Sequence, residues 1–266
     1  MTDPLALRQM AEALDQIAAR AAAVLSEGYR GADLEIEHKD TIDLVTRFDR
    51  ESEAVIRRAM AALLPGVALV AEEGGGTAPR DGRPVVWADP LDGTTNFAHG
   101  HPFFAVSLGL AVDGVAVAGV VSAPALQTVW RGLEGEGSTR NGAPCRVSST
   151  ESLQRSLLAT GFPYDNARNP EPNFREFAAL TQRSQGVRRC GSAALDLCLV
   201  ADGTYDAYWE RYLKPWDVAA GLALVRAAGG TVTAFPDGPV ALEGGSVIAS
   251  NGRLHAALTA ALRAAR

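Results

Sequence analysis

Lysine is nearly missing from this 266-residue chain: Lys39 and Lys214 are the only two among 25 basic residues, and arginine fills the rest. Arg and Lys differ in shape, hydration and pKa behaviour, so a retained lysine either serves a site that wants a compact charge or is chance on a solvated loop. Neither lysine is preceded by glycine and followed by Ser or Thr, which excludes a Walker A loop. Cysteine is scarce too. Cys145, Cys190 and Cys198 make an odd number without a Cys-x-x-Cys, a usage that fits a reducing cytoplasm and leaves buried small hydrophobes as their default role. None is followed six positions later by Arg, which removes the cysteine-phosphatase loop. His99-Gly100-His101 has no third ligand nearby and reads as a loop feature. No apolar run approaches the roughly 18 residues of a membrane span. At the amino end Met10, Leu14, Ile17, Ala21 and Val24 recur at helical spacing with Glu12, Asp15 and Arg20 between them, an amphipathic helix and not a signal. A net charge of -6 disfavours a nucleic-acid surface, while 47% hydrophobic and 21% charged content fits a soluble enzyme-sized core.

What the chain does have is acids at the ends of apolar runs. The segment Asp89-Pro90-Leu91-Asp92-Gly93-Thr94-Thr95-Asn96-Phe97 follows Val85-Val86-Trp87-Ala88 and precedes the apolar stretch from Phe103 to Val112. Two carboxylates three apart thus leave the end of a buried strand. Pro90 lacks an N–H, Gly93 admits a ligand close to the backbone, and Thr94 and Thr95 add hydroxyls, so oxygen ligands lie beside free amide donors. This suits a hard cation holding a phosphate; it also suits an ordinary Asp-Gly turn. Two other segments repeat the pattern. The run from Val67 to Ala71 ends in Glu72-Glu73-Gly74-Gly75-Gly76, and Pro215-Trp216-Asp217 places an acid in the first turn of an Ala-rich helix. Two unit charges about 4 Å apart repel by roughly 4 kcal/mol at an effective dielectric near 20, so Glu72, Asp89, Asp92 and Asp217 together need cations or protons. Oxygen-only ligation points to magnesium or manganese.

Through these segments the chain resembles the inositol monophosphatase family, of the bacterial type, within the lithium-sensitive, magnesium-dependent sugar-phosphatase superfamily. The match runs through Asp43-Leu44-Val45-Thr46 with Asp49, Glu72-Glu73, Asp89 to Phe97, Gly191-Ser192-Ala193-Ala194 and Trp216 to Gly221, in order over nearly the whole chain. The resemblance implies that Glu72, Asp89 and the Leu91 carbonyl hold a first magnesium, that Asp89, Asp92 and Asp217 hold a second, and that Glu72 helps place a loosely bound third. It implies a phosphate cradled by the Gly93 and Thr94 amides at a helix start, and a proton relay through Asp49 and Thr94. It also places Lys39 on a loop near the metals, and Asp92, Glu210, Gly191, Ser192 and Ala193 around the polyol. Two departures stand out: Ala71 replaces a glycine of many relatives, and the stretch from Lys39 to Asp43 is about one residue short.

The implied reaction is hydrolysis of inositol 1-phosphate by a metal-activated water, with fructose 1,6-bisphosphate, a nucleotide phosphate or another sugar phosphate as alternative substrates. Its transition state is mostly redistributed charge, which ions and fixed amides stabilise, so direct in-line attack without a phosphoenzyme is expected. The resemblance adds lithium inhibition, often a homodimer, and in some bacterial relatives a partner in transcription antitermination. Helices are expected near 4–27, 49–63, 172–183, 192–200, 216–228 and 252–265, and strands near 67–71, 84–88, 103–112, 115–122, 127–131, 204–209 and 246–249, with a flexible loop over 74–83. They form one domain, 1–266, with packed sub-domains 1–150 and 151–266, and the family pattern makes it a layered α/β/α/β/α sandwich.

Overall fold

The structure, a computed structural model, describes residues 3–31, 34–38, 44–163, 169, 171, 173–235 and 238–265. Lys39 and Asp43 lie outside the described residues. Two short strands, β1 (Glu37–His38) and β2 (Leu44–Val45), pair antiparallel. Seven strands then form one sheet in sequence order: β3 (Ala68–Ala71), β4 (Val85–Asp92), β5 (Ala105–Val112), β6 (Val115–Ala123), β7 (Thr128–Leu133), β8 (Gly137–Arg140) and β9 (Ala143–Cys145). Five more, β10 (Leu157–Thr160), β11 (Gly186–Arg188), β12 (Ala207–Leu213), β13 (Thr231–Thr233) and β14 (Gly245–Ser250), form a second sheet in the order β11-β10-β12-β14-β13. The helices are α1 (Pro4–Gly28), α2 (Arg47–Leu63), α3 (Thr94–Ala98), α4 (Phe174–Thr181), α5 (Ala193–Ala201), α6 (Pro215–Ala227) and α7 (His255–Ala264).

Three apolar cores make these elements five layers. Leu14, Ile17 and Leu25 of α1 and Ile56 and Met60 of α2 meet Val86, Ala88, Leu108 and Leu110 on one face of the large sheet. Val85, Trp87 and Val121 on its other face meet α5 and α6, which also pack on Tyr208 and Ala249 of the small sheet. The far side of the small sheet packs Leu158, Trp209 and Ile248 on α4 and α7 through Leu180, Leu258 and Leu262. The order is α/β/α/β/α, as expected. β4 is buried along its whole length, because alternate side chains enter different cores. Among the described residues no helix is long and apolar enough to cross a membrane.

Several boundaries differ from the expected ones. The strand expected over 84–88 runs on to Asp92, so both acids belong to β4 and do not lie beyond it. A register shift against β5 between Asp89 and Asp92 accommodates Pro90, which has no N–H for the ladder. The strand expected over 204–209 occupies Ala207–Leu213. The helix expected from 252 starts at His255, because Asn251 accepts the Leu254 N–H in a turn. Strands β8 to β11 and β13 were not expected; they are three or four residues long and lack sustained alternation. The start of the 74–83 loop is pinned: Glu53 accepts from the Glu73 and Gly74 amides at 2.9 Å each, and Arg57 donates to the Gly75 carbonyl at 2.9 Å.

Glycines in the sheet set the height of α6, and with it the position of Asp217. A Cβ on Gly109 would lie 2.5 Å from the Ala219 Cβ, and one on Gly119 would lie 2.4 Å from the Ala220 carbonyl oxygen. Backbone cannot yield as a flexible side chain does, so Gly119→Ala is expected to destabilise the fold by about 1–3 kcal/mol and to lift α6 away from β6. Urea unfolding and phosphate release on the same preparation check both effects.

Candidate active site

Four of the acids singled out in the sequence, Asp89, Asp92, Asp49 and Asp217, come from two kinds of local geometry. Asp89 and Asp92 sit on the irregular end of β4, where the Asp89 carboxylate accepts the Leu91 N–H at 2.9 Å. Gly93 then adopts φ +93°, and a Cβ there would meet the Phe103 carbonyl oxygen at 2.9 Å, so only glycine joins β4 to α3 without strain. Asp49 and Asp217 use a shared device. Each lies three residues after the N-cap of its helix and accepts the N–H of that cap, Thr46 for α2 and Lys214 for α6, at 2.7 Å. Asp49 takes a second bond at 2.7 Å from the Thr46 hydroxyl and a third at 3.0 Å from the Thr94 hydroxyl.

Asp92 ties the two halves of the chain together. One of its oxygens accepts from the Ser192 hydroxyl at 2.6 Å and the Ala194 N–H at 2.7 Å, at the start of α5. Asn96 makes a parallel connection, donating to the Phe103 and Cys190 carbonyls at 2.7 and 2.8 Å. These bonds close one wall of a cleft of about 670 Å³. Glu72, Asp89, Leu91, Asp92, Gly93, Thr94, Gly191, Ser192, Ala193, Glu210 and Asp217 all line it, with Asp49 buried behind Thr94. His99 and His101 lie outside it, and Lys214 stands exposed at its edge.

Electrostatics mark the cleft as unbalanced. Burial pushes the Asp89 carboxyl well above the usual range, and Glu72, Asp92 and Asp217 push it further. Burial likewise raises Asp217, with Asp92, Glu72 and Glu210 adding to the shift against the bond from Lys214. Asp92 is pushed up to about 6 by burial despite its bonds from α5, and Asp49 to about 6 by burial despite three bonds to its charged form. The lining side chains of a kind that ligates metals are carboxylates and hydroxyls, with no His or Cys among them, beside the cations Arg189, Arg211 and Lys214. Such a set fits a hard divalent cation, which would cancel the repulsion. Among the described residues no three His, Cys, Asp or Glu side chains are already drawn together tightly enough to hold one ion.

Other lining residues were not singled out from sequence. Asp196 is 1% exposed, one of its oxygens has no hydrogen-bond partner, and burial followed by Glu210 and Asp92 raises its carboxyl. A lone acid within the apolar run Ala193-Ala194-Leu195-Asp196-Leu197-Cys198 was the available signal. Arg211 is buried between Glu171 and Glu176. Arg189 lies with its guanidinium 5.9 Å from the Phe162 ring centre. Glu210, on β12, is half-buried, accepts from the Tyr208 hydroxyl and is pushed up to about 7 by burial. Of the cysteines only Cys198 is fully buried; Cys145 and Cys190 are half-buried, short of the default reading.

Comparison with known proteins gives this arrangement its relatives. The model of the inositol monophosphatase family matches residues 6–266. Inositol-1-monophosphatase of Synechocystis sp. is 48% identical over 223 residues, covering 84% of this chain and 77% of that protein. Nus factor SuhB of Pseudomonas aeruginosa is 42% identical over 229 residues, covering 85% and 84%. The solved structure of inositol monophosphatase from Anabaena (Nostoc) sp. superposes with a TM-score of 0.88 at 41% identity, covering 97% of this chain and 96% of that one. A full-length match in sequence and in layered architecture leaves one assignment: the chain belongs to the inositol monophosphatase family and is an enzyme, a phosphatase.

Proposed function

We propose that the cleft hydrolyses inositol 1-phosphate to inositol and phosphate, and that it does so with magnesium. The observation that carries this reading is that Glu72, Asp89, Asp92 and Asp217 line one cleft that holds no His or Cys. Glu72, Asp89 and the Leu91 carbonyl are assigned to one ion, and Asp89, Asp92 and Asp217 to a second, with a third near Glu72. Magnesium, or manganese in its place, supplies positive charge for the phosphoryl oxygens and lowers the pKa of coordinated water towards neutrality.

The chain's own groups do the rest. The Gly93 and Thr94 amides, in a first helical turn without intrahelical partners, take phosphoryl oxygens. The Thr94 hydroxyl has one proton and two acceptors at 3.0 Å, Asp49 and the Leu91 carbonyl. Turned towards Asp49, it leaves its oxygen free to accept from the attacking water, so a proton passes by way of Thr94 to Asp49. Burial holds that carboxyl near 6, where it can accept a proton at neutral pH and release it again. Lys39 is assigned a place near the metals on the family resemblance alone. Asp92, Gly191, Ser192, Ala193 and Glu210 are assigned to the polyol hydroxyls.

Phosphate release from a panel of inositol 1-phosphate, fructose 1,6-bisphosphate, a nucleotide phosphate and an aryl phosphate, with magnesium, with chelator and with lithium added, tests this reading. Inositol 1-phosphate is expected to lead, with loss in chelator and inhibition by lithium. Glu210→Gln is expected to raise KM for inositol 1-phosphate about tenfold relative to the aryl phosphate, the worth of a hydrogen bond to a charged group; equal changes on both remove Glu210 from the polyol site. The 42% identity to a Nus factor supports a second role, an interaction with transcription factors; a cytoplasmic homodimer is proposed on the family resemblance alone. Sedimentation of the purified protein and its capture of purified antitermination factors check these two points.

A further inference from the structure

Tyr212 holds a backbone conformation that a tyrosine adopts at a cost. Its φ is +64°, in the left-handed region where an aromatic residue is an outlier and where glycine sits free of strain. The local cause is an irregularity in β12, whose pairing with β14 shifts register between Glu210 and Leu213. Residues on either side are fixed: Arg211 is ion-paired to Glu171 and Glu176, Leu213 is buried, and Glu210 takes the Tyr208 hydroxyl. The chain therefore turns Tyr212 outward, half exposed, on the lip of the cleft. Among the described residues its ring stacks on no other ring and its hydroxyl has no hydrogen-bond partner. Phe162, on the same cleft, has its ring occupied, packing edge-on to Phe174 and Phe177 beneath Arg189.

Strained residues persist where the surroundings over-determine them, and they gather at ligand clamps. A free aromatic face beside carboxylates that accept hydroxyls suits a ligand with polar edges and a carbon face, which is the description of a cyclitol or a cyclic sugar. We propose that Tyr212 is a specificity-determining residue whose ring packs on the carbon face of a cyclic polyol phosphate in the cleft; this rests on the phosphatase reading above.

Steady-state kinetics of the full chain with magnesium, on cyclic inositol 1-phosphate and on acyclic glycerol 2-phosphate, test the assignment. Tyr212→Gly is expected to raise KM for inositol 1-phosphate roughly five- to tenfold more than for glycerol 2-phosphate, the range of an aromatic contact. Tyr212→Phe is expected to restore the wild-type ratio, and Tyr212→Gly to melt no lower than the wild type, since glycine relieves the backbone. An unchanged ratio in an active protein overturns the role of Tyr212 and leaves the phosphatase reading standing. A lower melting temperature in Tyr212→Gly also overturns it, because the ring is then part of the packing. Wild-type protein that releases phosphate from neither substrate overturns both.

Discussion

Asp89→Asn is expected to lower kcat/KM on inositol 1-phosphate at least about a thousandfold, while the metal-free protein melts at a higher temperature than the wild type. The kinetic half follows from the bridging position assigned to Asp89. Asn keeps the shape and an oxygen that can accept the Leu91 N–H, now 2.9 Å from the carboxylate. It removes the charge that two cations would share, and a loss of about 4 kcal/mol of charge stabilisation is a factor of about a thousand in rate. The thermal half follows from burial. Asp89 is 3% exposed, and Glu72, Asp92 and Asp217 all oppose its ionisation. Replacing it by a neutral isostere takes one charge out of that cluster, so the fold gains what catalysis loses. Phosphate release at saturating magnesium and thermal melts in chelator measure the two halves. Near-normal turnover would remove Asp89 from its bridging place, and a lower melting temperature would show that charge repulsion is not what strains the cleft.

The sequence showed most plainly what local grammar writes. Val85 to Ala88 read as a buried strand because an apolar run that alternates between two cores has no polar side. Asp217 was placed in a first helical turn by Pro215, and the structure adds that it caps that turn, as Asp49 caps α2 from Thr46. Long-range pairings were not written there. Asp92 stands a hundred residues from the Ser192 hydroxyl it accepts, and nothing near Asp92 announces that α5 uses one of its oxygens. The small strands β8 and β9 owe their existence to pairing with β7 and with each other, and their own residues, Gly137 to Arg140 and Ala143 to Cys145, carry no apolar period. Tyr212 is the hardest to read, because its left-handed φ contradicts its side chain and arises from the register shift in β12. The assignment of fold class came from the ordered set of motifs; periodicity alone left only α/β layers.

Magnesium is expected to raise the melting temperature by about 5–10 °C at pH 8 and by far less at pH 5. Unfolded carboxyls lose their protons near pH 4, whereas burial holds Asp49 and Asp92 to about 6 and Glu210 to about 7, and Asp89 and Asp217 are raised as well. Between about pH 4 and pH 7 the folded protein therefore binds more protons than the unfolded chain. Stability contributed by these groups falls as pH rises through that window, because unfolding is favoured where the native state must give up protons it prefers to keep. Cations and protons compete for the same oxygens. At pH 5, below the value of about 6 at which burial holds Asp92, a proton neutralises that ligand and magnesium must displace it; at pH 8 Asp92 is ionised and the ion relieves its repulsion with the neighbouring acids directly. Binding at a hundredfold above Kd is worth about 2.7 kcal/mol, and each kcal/mol moves the melting temperature of a chain this size by about 2–4 °C, which sets the expected shift. Melts with and without magnesium at the two pH values, repeated on Asp89→Asn, complete the measurement. Equal shifts at both pH values would place magnesium away from these acids, and in Asp89→Asn most of the pH 8 shift should vanish because the shared ligand is gone.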